Sequence, residues 1–318
     1  MLKTDKIVIS LAHSPDSDDL VMWWPLTGVR NSDGSAIEGD LGRAQVETGR
    51  FRFELVARDV EELNQLVVGA EDVYDITAIS CAAYPVIKDR YAVTACGGSF
   101  GEGYGPRVVT RADSRFEKLS DLVESGARIA VPGVNTSAFM ALNMAGGKFE
   151  YEAMLFSEIP GAVARGEFDA GLLIHEAQLT FGEMGLKKIG DMGEWWREEM
   201  GDEMALPLGL NVVARSLDER FGRGTVKEIA GILKKSVECS IAMGVASRLH
   251  LQLNKGDRTE WDDPELVDEY LAMYVSGLTV DMGERGWSAV SAFLDRGFEE
   301  GLCGDPGDLV LADNWGMK

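Results

Sequence analysis

The chain has 318 residues, 45% of them apolar and 26% charged, with 53 acidic against 31 basic side chains and a net charge of -22. That composition supports hydrophobic cores and excludes long disorder, and the length suits two lobes or one large domain. Strong acidity without a Lys/Arg cluster argues against nucleic acid and against an anionic membrane surface as partners.

The first six residues lack the apolar stretch and small-residue cleavage site of a secretory leader, so the expected location is cytoplasmic. No apolar run approaches the ~18 residues of a membrane helix. Ile7–Leu11 reads as a strand. It meets the polar loop Ser14-Pro15-Asp16-Ser17-Asp18-Asp19, and Leu20–Trp24 then starts a helix. Residues 28–50 are rich in Gly, Asp and Ser and read as an exposed excursion. Phe51–Val56 is a strand, Val60–Val68 a helix, and Tyr74–Ser80 and Tyr91–Cys96 are strands. The glycines of residues 97–105 lead into another strand, Pro106–Thr110, rather than a helix, which fits a dinucleotide loop poorly.

The rhythm then repeats: helix Phe116–Val123, strand Arg128–Val131, helix Thr136–Met144, strand Met154–Phe156, helix Ile159–Arg165, strand Ala170–Ile174. Strands alternating with helices predict parallel sheet with covered faces. Residues 218–299 carry helical periodicity and read as packing helices. The expected fold is therefore α/β with two lobes and a helical C-terminal segment. Lobe 1 takes residues 1–106 and 214–318, and lobe 2 takes 107–213. The chain crosses near Gly105–Arg111 and Leu206–Arg215, and the ligand cleft lies between the lobes.

Four cysteines, Cys81, Cys96, Cys239 and Cys303, form no CxxC pair. They suit neither a disulfide framework nor a zinc site and read as free thiols.

Four segments carry chemical content. In the Ser14–Asp19 loop, Asp and Ser side chains cap the next helix, or backbone N–H groups hold an anion, or Asp16, Asp18 and Asp19 hold a divalent cation. At Asp75–Pro85 a strand ends in small residues, where Ser80 and Cys81 allow close ligand approach or pack under a loop. Val131-Pro132-Gly133 followed by Asn135-Thr136-Ser137-Ala138 is an N-cap signal, and the same geometry holds a carboxylate. His175 ends an apolar strand and is followed by Glu176. It is one of three histidines, with His13 and His250, and a neutral imidazole there serves as general base near pH 7. A satisfied structural histidine is the alternative.

Taken in order, these segments resemble the family of 1,4-dihydroxy-6-naphthoate synthase and chorismate dehydratase, the futalosine-pathway enzymes of menaquinone biosynthesis. The landmarks are Ser14-Pro15 with Asp19, Asp59 to Asn64, Ile79-Ser80, Gly105-Pro106, Val131-Pro132-Gly133 with Thr136-Ser137-Ala138, Ile174-His175-Glu176, and Leu206-Pro207-Leu208-Gly209. They span residues 7–217, and the last two point to the naphthoate synthase branch. The resemblance implies a type 2 periplasmic-binding-protein fold and cleavage of cyclic dehypoxanthine futalosine to 1,4-dihydroxy-6-naphthoate. It implies His175 as the base and Asn64, Ser80, Ser137 and Ala138 along the ligand pocket; Ser14, Asp19, Cys81 and Thr136 of the segments above complete the residues expected around a carboxylate-bearing substrate. It implies no metal or organic cofactor. The family loop typically reads Ser-Pro-Cys-Pro-Asn-Asp-Thr-Phe, whereas here two acidic replacements stand in Ser14-Pro15-Asp16-Ser17-Asp18-Asp19-Leu20-Val21. That departure keeps two alternatives open: a non-catalytic solute-binding protein, and a lyase with a different carboxylate substrate.

Overall fold

The computed structural model describes residues 6–69 and 73–316; the expected leaderless start, residues 1–5, lies outside them. Among the described residues the strands are Ile7–His13 (β1), Phe51–Ala57 (β2), Ile76–Ser80 (β3), Tyr91–Val93 (β4), Ser99–Gly101 (β5), Arg107–Arg111 (β6), Arg128–Val131 (β7), Glu150–Ala153 (β8), Ala170–Leu173 (β9), Leu186–Asp191 (β10) and Leu206–Ala214 (β11).

β-branched Ile7, Val8 and Ile9 favour extended backbone, and Ile9 and Leu11 are fully buried. β1 runs parallel to β2, from Ile7 opposite Phe51 to His13 opposite Ala57, and parallel to β3 on its other side. The first sheet has the order β2-β1-β3-β11-β4, with β5 also paired to β11. The second has the order β10-β6-β9-β7-β8.

Neither sheet is wholly parallel. β11 lies antiparallel to β3, β4 and β5, and β6 lies antiparallel to β9 and β10. These are the strands that follow the crossings, so each enters its sheet from the opposite end. β11 also moves an expected boundary. The sequence pattern places residues 206–213 in lobe 2, but the backbone from Gly209 to Val213 pairs with β3 and so lies in the first sheet. The crossings are correspondingly short. One joins β5 to β6 through Tyr104, Gly105 and Pro106. The other follows the helix Met192–Met200.

The two crossings touch. The N–H of Met192 donates to the Pro106 carbonyl at 2.9 Å. A Cβ placed on Gly193 would lie 2.0 Å from the carbonyl carbon and oxygen of Tyr104, so only glycine permits this approach.

The returning segment covers the first sheet with the helices Thr225–Ala242, Gly244–Leu253, Pro264–Tyr274 and Gly283–Glu299. In Thr225–Ala242 the buried residues Val226, Ile229, Leu233 and Val237 recur at helical spacing. The 28–50 excursion is less exposed than its composition suggests, since Val29 is fully buried beside Trp24 and Ala246. The segment expected as a strand at 154–156 is strand one turn earlier, at β8, and a 3₁₀ turn at Phe156–Glu158. Among the described residues no helix is long and apolar enough to cross a membrane.

β1 and β3 of the first sheet and β7 and β9 of the second all end, at their C-terminal ends, on the gap between the sheets. The joined crossings hold that gap in place. Gly193→Ala should lower stability by about 1–3 kcal/mol, the usual range for overpacking. A denaturant titration with an unchanged midpoint would show that the crossings are not packed this way in solution.

Candidate active site

Four strand ends build the site. β1 delivers the loop of Ser14, Pro15 and Asp16 and then the helix Ser17–Trp23. β3 delivers Ser80. β7 leads to the helix Ser137–Gly146, and β9 leads through Ile174 to His175 and Glu176. Between them lies a cleft whose lining includes Ser14, Ser80, Ser137 and His175, at the strand ends where ligands of such sheets bind.

His175 is the residue under most constraint. Its backbone has φ +56°, and among the described residues it is the one non-glycine with positive φ. That conformation costs about 1–3 kcal/mol and persists only where the surroundings impose it. The surroundings are visible. Its Nδ1 lies 2.8 Å from Asp16 Oδ2, and the Phe156 ring packs edge-on at 4.6 Å between centroids.

Asp16 corrects the capping expectation. It stands at the N-cap position of Ser17–Trp23 yet makes no capping hydrogen bond. Its carboxylate instead meets His175 Nδ1 and the Ser14 hydroxyl. The neighbouring acids are engaged too. Asp19 accepts from the Ser14 N–H at 2.7 Å and the Trp23 indole at 3.3 Å. Glu176 accepts from the Ser17 hydroxyl at 2.8 Å and the Trp261 indole at 3.1 Å. The Arg258 guanidinium lies 3.5 Å over the Trp261 ring and donates to the Pro15 carbonyl. Asp18 lines the cleft as well. The aspartates do not converge as metal ligands: among the described residues no three His, Cys, Asp or Glu side chains group to hold an ion.

Electrostatics follow from this crowding. Burial lowers the basicity of every histidine here. It leaves His13 below its usual value and His250 at about 4. At His175 burial also acts downward, but the charge and hydrogen bond of Asp16, with Glu176 and Asp18 behind it, outweigh it and raise the imidazole to about 9. The acids respond in the opposite sense. Desolvation and mutual repulsion lift Asp19 to about 7, Asp18 well above the carboxylate range, and Glu176 upward.

Across the cleft, Thr136 is the N-cap expected from sequence: its hydroxyl accepts from the Phe139 N–H at 3.1 Å. The Ser137 hydroxyl donates to the Leu208 carbonyl at 2.7 Å and accepts from the Ala82 N–H at 3.2 Å. Both hydroxyls are therefore occupied. What this wall offers an anion is the first-turn N–H groups of Ser137 and Ala138.

Seven of the expected site residues line the cleft: Ser14, Asp19, Ser80, Thr136, Ser137, Ala138 and His175. Two do not, and here the sequence expectation is corrected. Asn64 is fully buried behind Ser80, donating from Nδ2 to the Ser80 hydroxyl at 3.0 Å and accepting from the Ser80 N–H at 2.8 Å. It orients Ser80 from behind, because the helix Val60–Gly69 packs on β3. Cys81 is also fully buried, and burial pushes its thiol well above the usual value. All four cysteines are free thiols.

The structure adds lining residues that sequence reading passes over, among them Gln178, Asn211 and Tyr270, and it gives Asp16 and Asp18, read as caps or cation ligands, a place on the cleft wall. Asn211 has a signal, a polar residue inside the apolar run of β11. Its Nδ2 donates to the Gly97 carbonyl at 2.7 Å, while Oδ1 is buried with no partner among the described residues. Tyr270 has none, since an aromatic on an apolar helical stripe reads as core.

Residues 9–299 match the menaquinone biosynthesis family. A curated relative from Streptomyces coelicolor, a 1,4-dihydroxy-6-naphthoate synthase, is 34% identical over 270 residues, covering 83% of this chain and 89% of the relative. A crystal structure of an Archaeoglobus fulgidus protein has 32% identity and a TM-score of 0.75, covering 93% of this chain and 98% of that one. A Candida albicans protein described as having the generic periplasmic binding protein fold aligns with a TM-score of 0.62 at 9% identity, over 90% of each chain. At that identity the likeness shows the fold alone, and the fold is the expected one.

The Asp16 contact has a direct consequence. A folded-state value raised above the unfolded ~6.5 means that His175 keeps its proton until pH rises through about 9. The stability this pair contributes is fully present below ~6.5 and is lost towards pH 9. Titrating the His175 ring by NMR should give a midpoint near 9. In Asp16→Asn the midpoint should fall below ~6.5, because burial then acts with less opposition. Equal midpoints would sink the assignment of Asp16 as the controlling charge.

Proposed function

The chain belongs to the menaquinone biosynthesis family, and from that membership and the His175 cleft we propose that it is a carbon–carbon lyase of the naphthoate synthase type. Its substrate on this reading is cyclic dehypoxanthine futalosine, and its products are 1,4-dihydroxy-6-naphthoate and a sugar fragment.

The observation that carries the reading is the Asp16–His175 pair, in which His175 is held in a strained backbone conformation on the wall of the cleft. A carboxylate on Nδ1 fixes the ring's orientation and tautomer, so proton exchange with a ligand falls to Nε2. The substrate carboxylate seats on the N–H groups of Ser137 and Ala138. His175 removes a proton from the substrate. The electron pair so freed forms the new π bond as the bond to the sugar portion breaks, and the pair from that bond passes into the ring system. Aromatisation drives the step. The proton held by His175 returns to the electron pair left by cleavage, so none is consumed. Asp16 stabilises the imidazolium between the two transfers.

The high basicity of His175 has a kinetic cost. With a value of about 9, roughly one molecule in a hundred carries the neutral ring at pH 7. On this mechanism kcat/KM should climb about tenfold per pH unit from neutrality towards 9.

Purified protein should be incubated with cyclic dehypoxanthine futalosine and 1,4-dihydroxy-6-naphthoate followed by chromatography. His175→Ala should lose at least ~100-fold in rate, the contribution expected of a general base. No product from the wild type, with the same compound still raising the melting temperature, would replace the lyase reading with a solute-binding one.

A further inference from the structure

Four carboxyl groups surround His175, and three are fully engaged. Asp16 pairs with His175 and Ser14, Asp19 accepts from Ser14 and Trp23, and Glu176 accepts from Ser17 and Trp261. Asp18 differs. Its side chain lines the cleft and the residue is 9% exposed, yet it makes no hydrogen bond or ion pair within the described residues. The neighbours that face it are Asp19 and Asp16 on its own segment and His175 and Glu176 from the second lobe, and Tyr270 of the returning segment lines the same cleft. The positive charge of His175 is already matched by Asp16, and Arg258 is directed to the Pro15 carbonyl and the Trp261 ring.

Asp18 is nine-tenths out of water and crowded by Asp19, Asp16 and Glu176, so its ionised form is disfavoured and the group takes up a proton. A neutral carboxyl carries an O–H, and here that donor borders the ligand space. We propose that Asp18 is a substrate-binding residue whose protonated carboxyl donates a hydrogen bond to an uncharged oxygen of the ligand, a ring carbonyl or hydroxyl beside the His175 base. The assignment rests on the lyase reading for the identity of that ligand and on the geometry alone for the neutral donor. As the proton leaves for His175, negative charge grows on such an oxygen, and a fixed donor in a dry site stabilises it. An anionic group would serve poorly here, because Asp16, Asp19 and Glu176 stand around the same point. The donor therefore selects the uncharged part of the ligand.

Two variants separate this from a structural role. Asp18→Asn keeps a donor of the same shape, and Asp18→Leu removes it. Asp18→Leu should lose about 100-fold in kcat/KM, the size of one donor to a developing oxyanion. Its melting temperature should not fall, since an apolar group replaces an unpartnered buried one. Asp18→Asn should recover most of that loss, to within about tenfold of the wild type. An infrared difference spectrum of the unliganded proteins at pH 7, wild type minus Asp18→Asn, should show a protonated carboxyl band in excess of the one Asp19 contributes to both proteins. Calorimetry with 1,4-dihydroxy-6-naphthoate should show the same order of affinities. Absence of the band overturns the proposal, and so does an Asn variant as impaired as the Leu variant. If the wild type turns nothing over but the band is present and only Asp18→Leu loses affinity, the lyase reading falls and the Asp18 donor stands.

Discussion

A charge removed from water must be met by another at contact distance, and in this molecule the two meet across the gap between the lobes. Asp16 follows β1 of the first sheet; His175 follows β9 of the second. Their 2.8 Å contact is therefore a bond between lobes as well as a feature of a site. Ser17 and Glu176 repeat the crossing beside it at 2.8 Å, and Glu61 accepts from Asn135 Nδ2 at 2.7 Å on the next segment. Ser137 completes the set by donating to Leu208 of β11. Breaking a buried pair by removing one partner leaves an uncompensated charge and costs roughly 3–5 kcal/mol. Opening the lobes together exposes both partners to water at once, which costs far less. The fold thus closes over the cleft through polar contacts that solvent can replace, and the short Gly105–Gly193 junction is where the two lobes remain joined.

That arrangement explains why the site is strained where it is. His175 adopts a left-handed backbone conformation because the chain turns sharply from β9 into the helix Ala177–Thr180. The turn is held by the Gln178 N–H on the His175 carbonyl at 3.1 Å and the Leu179 N–H on the Glu176 carbonyl at 2.9 Å. The turn points consecutive residues at consecutive partners, His175 at Asp16 and Glu176 at Ser17. A glycine would relieve the strain but would bring no imidazole. The strain is small beside the interaction it makes possible.

Much of this is legible in the sequence, for a physical reason. Strand ends followed by helix starts are local patterns, and Ser14, Ser80, Thr136, Ser137 and His175 each stand at one. Their convergence follows from α/β topology, which sends parallel strand ends to a common edge. Other features depend on pairings that no local pattern encodes. Asp16 reads as a cap because its immediate neighbours are a loop and a helix; its true partner lies on the other lobe. Leu206–Ala214 reads as a crossing because it is extended and apolar, and only its hydrogen bonds to β3 place it in the first sheet. Asn64 reads as a lining residue from the resemblance, yet its helix packs on β3 so that Ser80 stands between it and the cleft. Tyr270 comes from a helix whose stripe announces burial without saying against what.

The cleft is also polarised, and the polarity gives a ligand one orientation. The whole chain carries a net charge of -22, yet the first-turn N–H groups of Ser137 and Ala138 make one wall attractive to an anion. The opposite wall holds Asp16, Asp18, Asp19 and Glu176 around a single imidazole, and burial with mutual repulsion raises Asp18, Asp19 and Glu176 towards their neutral forms. An acid bound with its carboxylate towards Asp16 would meet repulsion; turned around, it meets backbone donors. On the proposed function, the carboxylate belongs at the Ser137 wall and the uncharged end at His175. Two replacements in the Ser14–Asp19 loop, at Asp16 and Asp18, sharpen this polarity: Asp16 meets the His175 ring, and burial with the neighbouring acids raises Asp18 towards its neutral form. In this way an acidic protein can receive an acidic ligand in a cleft lined with aspartates.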